Sequence, residues 1–198
     1  MRSVAIVYAT HHGHTRDVAF RAAAFCERYG LDVQLTDLTS GQVPALERAD
    51  AAVLISPIHV GRHDAKLIAL VRRERARLDA MPSALVTASL TQATVQDPSR
   101  TASERDKARA ALDEVYERFV KDTGWRPAQA YRIAGRLAYR KYGFFTRFLM
   151  KRIAKQSGGS TDTSRDHEYT DWPAFDRFLG ELFSPEALRP AAQPQPVA

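Results

Sequence analysis

Three short runs in this chain are almost wholly apolar: "VAIVYA" at 4–9, "AAVLIS" at 51–56 and "SALVTAS" at 83–89. Each is too short for a helix and lacks strict alternation. Such runs are the mark of strands buried on both faces of a sheet. Helix-period segments separate them. Val18, Ala22, Phe25, Cys26 and Tyr29 share one helical face, and Gly30 is placed to stop that helix. "LDVQLTD" at 31–37 alternates with period two, Leu31, Val33 and Leu35 pointing one way, as in a half-exposed strand near a sheet edge. The spacing predicts a helix over 65–78, with Leu67, Ile68 and Val71 inward and Arg72, Arg73 and Arg75 outward. A polar segment and a charged helix over 101–121 follow. "AYRIAG" at 130–135 is a fifth strand, and helices are expected over 144–156 and 171–183.

Alternating strands and helices specify an α/β fold, a doubly wound five-stranded parallel sheet with helices on both faces. One domain is expected over 1–183, followed by a Pro/Ala-rich tail, 184–198, expected to be disordered. At 198 residues, 44% of them hydrophobic, the chain can bury a core of this kind. The single cysteine, Cys26, excludes an internal disulfide and fits a reducing compartment. Strand-like sequence beginning at Val4 leaves no room for a signal peptide, and no apolar run approaches a membrane span, so any membrane association is expected at the surface. A formal net charge of +6 favours an anionic partner.

In such folds ligands bind at the carboxyl ends of the strands, where the strand order reverses. The loops leaving those ends are 10–15, 57–64 and the stretch after Ser89. The first, "THHGHT", has neither G-x-G-x-x-G nor the Gly-Lys-Ser/Thr of a P-loop. It does offer the hydroxyls of Thr10 and Thr15, the unpaired N–H groups of a helix start, and Gly13 for close approach. His11, His12 and His14 add donors. A terminal phosphate monoester suits these groups. Two plain helix-capping threonines beside exposed histidines suit them equally well.

The pattern T-x-x-G-x-T after a first apolar strand resembles the phosphate loop of flavodoxins, and "SPIHVGRH" at 56–63 is similar to the flavodoxin segment whose planar side chain stacks on isoalloxazine. The resemblance implies FMN, held by Thr10, His11, His12, Gly13, His14 and Thr15, by Ser56, Pro57, Ile58, His59, Val60 and Gly61, and by Ser89 and Leu90. His59 would be the stacking group. A turn built on Pro57 and Gly61 is the simpler account of the second loop.

Flavodoxins are acidic, and this chain is not. No Asp or Glu occurs between Asp122 and Asp162, a window holding Arg126, Arg132, Arg136, Arg140, Lys141, Arg147, Lys151, Arg152 and Lys155 with interleaved aromatics. In the helix expected over 144–156, Phe145, Leu149 and Ile153 form one ridge, and Arg147, Lys151 and Lys155 another nearly opposite. That pattern serves a solvated basic face or the surface of an anionic bilayer. No helix-turn-helix, zinc or RNP pattern supports nucleic acid.

The stretches "WRP", "AGRLAYRKY", "SGGSTDT" and "YTDW", in that order, resemble the flavodoxin-type, menaquinone-dependent protoporphyrinogen IX dehydrogenases of bacterial haem biosynthesis. The resemblance runs from the first strand to about Phe183. It implies FMN, protoporphyrinogen IX as substrate, menaquinone or ubiquinone as acceptor, and peripheral attachment to the cytoplasmic face of the inner membrane. It also implies an insertion between strands 4 and 5, here 90–129. His12 stands where ordinary flavodoxins have a second hydroxyl. In this reading Arg136, Arg140 and Lys141 pair with substrate propionates, while Tyr139 and Tyr142 flank the macrocycle. The flavin carries the chemistry, so no metal and no protein nucleophile are required. His59 and His63 are the nearest candidates for a general base. A flavodoxin-like quinone reductase and a non-catalytic FMN electron carrier are the alternatives, and the sequence gives no oligomeric state.

Overall fold

The computed structural model describes residues 2–137 and 167–184. The elements in chain order are β1 (Ser3–Tyr8), α1 (His14–Arg28), β2 (Asp32–Asp37), β3 (Ala51–His59), β4 (Arg62–His63), α2 (Ala65–Ala80) and β5 (Ser83–Ser89). Then come α3 (Thr91–Gln96), α4 (Ala102–Thr123), β6 (Gln129–Ala134), β7 (Arg136–Leu137), β8 (His167–Glu168) and α5 (Trp172–Leu182). The helix expected over 144–156, Tyr139, Arg140, Lys141, Tyr142 and nearly all of the tail lie outside the described residues.

Five parallel strands lie in the order β2-β1-β3-β5-β6, and β4 folds back antiparallel on the end of β3. The three apolar runs supply the three central strands, and their alternate residues feed two cores. Val4, Ile6, Val53, Ile55 and Val86 face α1 and α5, whose Phe25, Phe175 and Leu179 complete that layer. Ala5, Val7, Leu54 and Leu85 face the other way, onto Leu67, Leu70 and Val71 of α2 and Phe119 of α4. Burying one such aliphatic side chain stabilises the fold by about 1.5–3 kcal/mol. The half-exposed strand expected over 31–37 is the sheet edge: among the described residues β2 pairs only with β1.

The structure departs from the sequence reading in three places. Tyr29, placed on the inward face of α1, is 67% exposed, because it is the C-terminal cap and the chain turns away there. The third strand does not stop at Ser56. It runs through Pro57 to His59, paired with β5 as far as Pro57↔Ala88, and then forms a hairpin with β4. The polar segment after Ser89 contains α3. The charged helix expected over 101–121 is present as α4, the crossover between β5 and β6 within the stretch 90–129. It starts in a capping box of Thr101 and Glu104 and buries Phe119 against the second core, next to Trp125.

Topology fixes where a site can form. The chain leaves β1 to one side of the sheet and β3 to the other, so the strand order reverses between them. The loop after β1 and the β3–β4 hairpin therefore meet over a crevice at the strands' carboxyl ends.

Candidate functional site

The first loop is built around Gly13. Its φ of 83° is left-handed, and as the N-cap of α1 it provides no side-chain capping hydrogen bond. A helix start leaves its first N–H groups unpaired, at the positive end of the helix dipole. Thr10 turns back into the loop, where its Oγ1 accepts from the Gly13 N–H at 3.1 Å. Thr15 lies just inside the helix and is buried. Neither threonine caps α1, so the helix-capping alternative is not what the loop does.

The hairpin opposite is equally defined. The buried Ser56 hydroxyl donates to the Pro57 carbonyl and accepts from the Asp64 N–H, both at 3.0 Å, which closes the base of the turn. Val60 and Gly61 form the tip, both with positive φ (49° and 68°). His59 swings from the hairpin toward the first loop. Its ring meets His11 edge-on at 4.7 Å between centroids and His12 at 5.7 Å. His11 in turn donates from Nε2 to the Asp64 carboxylate at 2.9 Å, while the other Asp64 oxygen caps α2 by accepting from the Lys66 N–H at 2.8 Å. Burial lowers the pKa of His12 and of His59, and the neighbouring imidazoles lower them further. His59 Nε2 is buried and has no hydrogen-bond partner among the described residues.

The third wall comes from β6. His14 donates from Nε2 to the Ala134 carbonyl at 3.2 Å, and the Thr170 hydroxyl donates to the same oxygen at 2.8 Å. Burial depresses the His14 pKa. Ser89 ends β5, with its carbonyl accepting from Gly135 at 2.9 Å and its hydroxyl from the Gln92 N–H at 3.2 Å, and Leu90 follows as the start of α3.

The structure therefore brings residues 10–15, 56–61 and 89–90 to one edge of the sheet. His63 lies elsewhere. It is 5% exposed, hydrogen-bonded to Thr87 Oγ1 at 2.9 Å and tilted against the Phe119 ring of α4 at 4.7 Å between centroids, and burial pushes its pKa down to about 4. A ring so enclosed serves the second core. Arg136 is engaged as well, with Asp17 at 2.7 Å and Glu168 at 3.9 Å. Arg126 makes a two-point pair with Glu117, and Arg132 lies 2.6 Å from Asp113. The window without acids in sequence thus receives acids from α1, β8 and α4 in space.

Asp64, Asp17 and Glu168 are the residues the sequence reading passed over. Asp64 carried a signal, an Asp directly before an apolar-periodic helix being an N-cap. Among the described residues no group of histidines, cysteines and carboxylates could hold a metal.

Two features test whether a flavin fits. The uncapped left-handed start of α1 presents donors suited to a phosphate. The unpartnered His59 Nε2 offers a polar atom to a planar ligand in the crevice. The fold and this crevice together define a flavodoxin-type domain. A model of the flavodoxin domain family matches residues 5–164. Among solved structures, a short-chain flavodoxin associated with a non-canonical PDU bacterial microcompartment superposes with a TM-score of 0.51 at 13% identity, covering 94% of this chain and 99% of that one. The protoporphyrinogen IX dehydrogenase [quinone] of Escherichia coli K12 is 29% identical over 89% of this chain and 92% of its own. The enzyme of that name from Leishmania major is 30% identical over 98% of this chain and 78% of its own. The chain belongs to the flavodoxin domain family, in the oxidoreductase group whose members are named protoporphyrinogen IX dehydrogenase [quinone].

Proposed function

We propose that this protein binds FMN and oxidises protoporphyrinogen IX to protoporphyrin IX, passing the electrons to menaquinone or ubiquinone in haem biosynthesis. The observation that carries this reading is the uncapped start of α1 in the same loop as the imidazoles that meet His59, whose Nε2 has no hydrogen-bond partner among the described residues, in a chain matched along most of its length by relatives named for that reaction. The N–H groups of the first turn and the Thr15 hydroxyl hold the terminal phosphate. His59, supported by His11 and His12, flanks the flat ring system, with Val60 and Leu90 at its margins. Bound there, FMN supplies a two-electron acceptor. The protein's work is to bind, orient and exclude water.

Arg136 already has two carboxylate partners. In this reading propionate binding therefore falls to Arg140 and Lys141, with Tyr139 and Tyr142 against the macrocycle. No helix among the described residues is long and apolar enough to cross a membrane. Attachment through the basic helix expected over 144–156 to an anionic bilayer on the cytoplasmic face of the inner membrane is part of the same proposal. It predicts vesicle binding that weakens as salt rises.

The deciding experiment is anaerobic. Protoporphyrinogen IX should bleach the absorbance of the FMN-loaded protein, and menaquinone should restore it. Rapid quinone reduction by NADPH, with no porphyrinogen turnover above autoxidation, would instead make the protein a quinone reductase.

A further inference from the structure

The crevice contains a carboxylate–imidazole pair, Asp64 and His11, whose chemistry goes beyond supporting the cofactor. Asp64 is held at three points: its N–H by Ser56 Oγ, Oδ1 by the Lys66 N–H, and Oδ2 by His11 Nε2. Its side chain is 9% exposed, whereas that of His11 is 48% exposed. A carboxylate accepts only, so Nε2 of neutral His11 carries the proton and Nδ1 keeps its lone pair. A buried carboxylate that fixes the tautomer of a more exposed imidazole is the arrangement of a general base. The groups brought to His11 are Asp64 at the N-cap of α2, His12 in its own loop and His59 from β3. The edge-on contact with His59 places the base beside the ring proposed to flank the flavin.

We infer that His11 is the catalytic base that takes the pyrrole N–H proton during porphyrinogen oxidation, and that Asp64 is its positioning residue. The inference rests on the proposed function. Over the three two-electron steps three bridging carbons each give up a hydride to the bound flavin and three protons leave, two of them net from pyrrole nitrogens and one from the fourth bridging carbon by tautomerisation. The step assigned here is loss of a pyrrole N–H proton alongside a hydride. The N–H bond breaks, its electron pair stays in the conjugated system, and the proton bonds to His11 Nδ1 before passing to solvent. The quinone reoxidises the flavin. Because loss of the proton accompanies loss of the hydride, a base within reach of the ring nitrogens lowers the barrier.

The test compares wild type, His11→Gln and Asp64→Asn, each titrated with FMN and assayed across pH. Measured at saturating FMN, so that any loss of cofactor affinity is separated out, His11→Gln should lower kcat by about a hundredfold, at the lower end of general-base effects, with KM little changed. The acid limb of its kcat/KM profile should disappear. Asp64→Asn keeps an acceptor for Nε2–H without the charge and should lower kcat less, again with KM unchanged. A readout independent of turnover is the tautomer of His11 by ¹⁵N NMR in the FMN-free protein. Nε2–H should dominate in wild type and give way to a mixture in Asp64→Asn. Unchanged kcat with an intact acid limb in His11→Gln overturns the inference, and so does a loss of FMN binding that accounts for the whole activity change. If His11→Gln does not fold, the Asp64→Asn kinetics and tautomer decide alone. Failure of wild type to oxidise porphyrinogen at all would sink the proposed function itself, a result distinct from these.

Discussion

The Arg136 guanidinium lies 2.7 Å from the Asp17 carboxylate, which ties β7 to the first turn of α1. The same arginine reaches Glu168 at 3.9 Å, across the β7–β8 pair in which Arg136 stands opposite Glu168. Residues on either side of 138–166 are thus fastened at the mouth of the candidate flavin site. Arg136 is only 22% exposed in its side chain, so solvent screens the pair less than a surface bridge. Arg136→Ala should therefore act on stability. A loss of about 1–3 kcal/mol in urea unfolding is expected, the range for a hydrogen bond to a charged partner. A raised KM with unchanged stability would show that the arginine serves the substrate instead.

A second prediction follows from the buried histidines. Unfolded, His63 titrates near 6.5. Folded, burial holds it at about 4. Between those values the unfolded chain binds a proton that the folded chain does not. Stability is therefore full above about pH 6.5 and falls as pH drops toward 4, by up to about 3 kcal/mol from this residue. His14, whose pKa burial also lowers, adds in the same direction. Chemical denaturation at pH 7.0, 5.5 and 4.5 should show the decline, and His63→Gln should remove roughly one proton from its slope. A pH-independent midpoint would mean that His63 is not enclosed as the structure has it.

The sheet was legible because its signal is local. Buried central strands must be continuously apolar, and the chain displays three such runs. The site was legible only where the loops announce themselves with Gly13, Pro57 and Gly61. The extension of β3 through Pro57 was hidden, because Pro57 with Gly61 four residues on reads as a turn, and only the pairing with β5 makes it a strand. Pairs across the fold leave no trace in a window of sequence. His11 and Asp64 are 53 residues apart, and Thr170 reaches the Ala134 carbonyl from 36 residues away. The partners of Arg126, Arg132 and Arg136 were hidden for the same reason, since these arginines find carboxylates on other elements.

The hairpin tip yields a third prediction. Val60 has a φ of 49° and is fully exposed, in a two-residue turn between the paired His59 and Arg62. Turns of this kind favour Asn-Gly, and a β-branched residue in the left-handed region is strained. Val60→Asn should relieve about 1 kcal/mol and raise Tm by about 2–4 °C. If the strained apolar tip serves a flat apolar ligand, the same variant should bind FMN or porphyrinogen more weakly while melting higher. A variant that melts lower would refute the strain argument.

The last prediction isolates the phosphate loop. Gly13 has a φ of 83°, and the nearest atom to an added Cβ is Arg16 Nη2 at 3.7 Å, so there is space for a methyl group but no comfortable backbone conformation. Gly13→Ala should cost about 1–2 kcal/mol for the left-handed geometry alone. If the chain escapes that cost by rotating the peptide, the N–H groups at the start of α1 lose their aim and FMN affinity falls as well. Asparagine tolerates this conformation, so Gly13→Asn should recover most of the stability and the binding. Thr15→Val removes a hydroxyl donor without altering the backbone. It should weaken FMN by about 1–3 kcal/mol, as expected for a hydrogen bond to a charged group. Quenching of flavin fluorescence on titration gives the affinities, and thermal melts of the FMN-free proteins give the stabilities. Ala and Val variants that both bind FMN like wild type would remove the phosphate from this loop, and with it the reason for an uncapped helix start at Gly13.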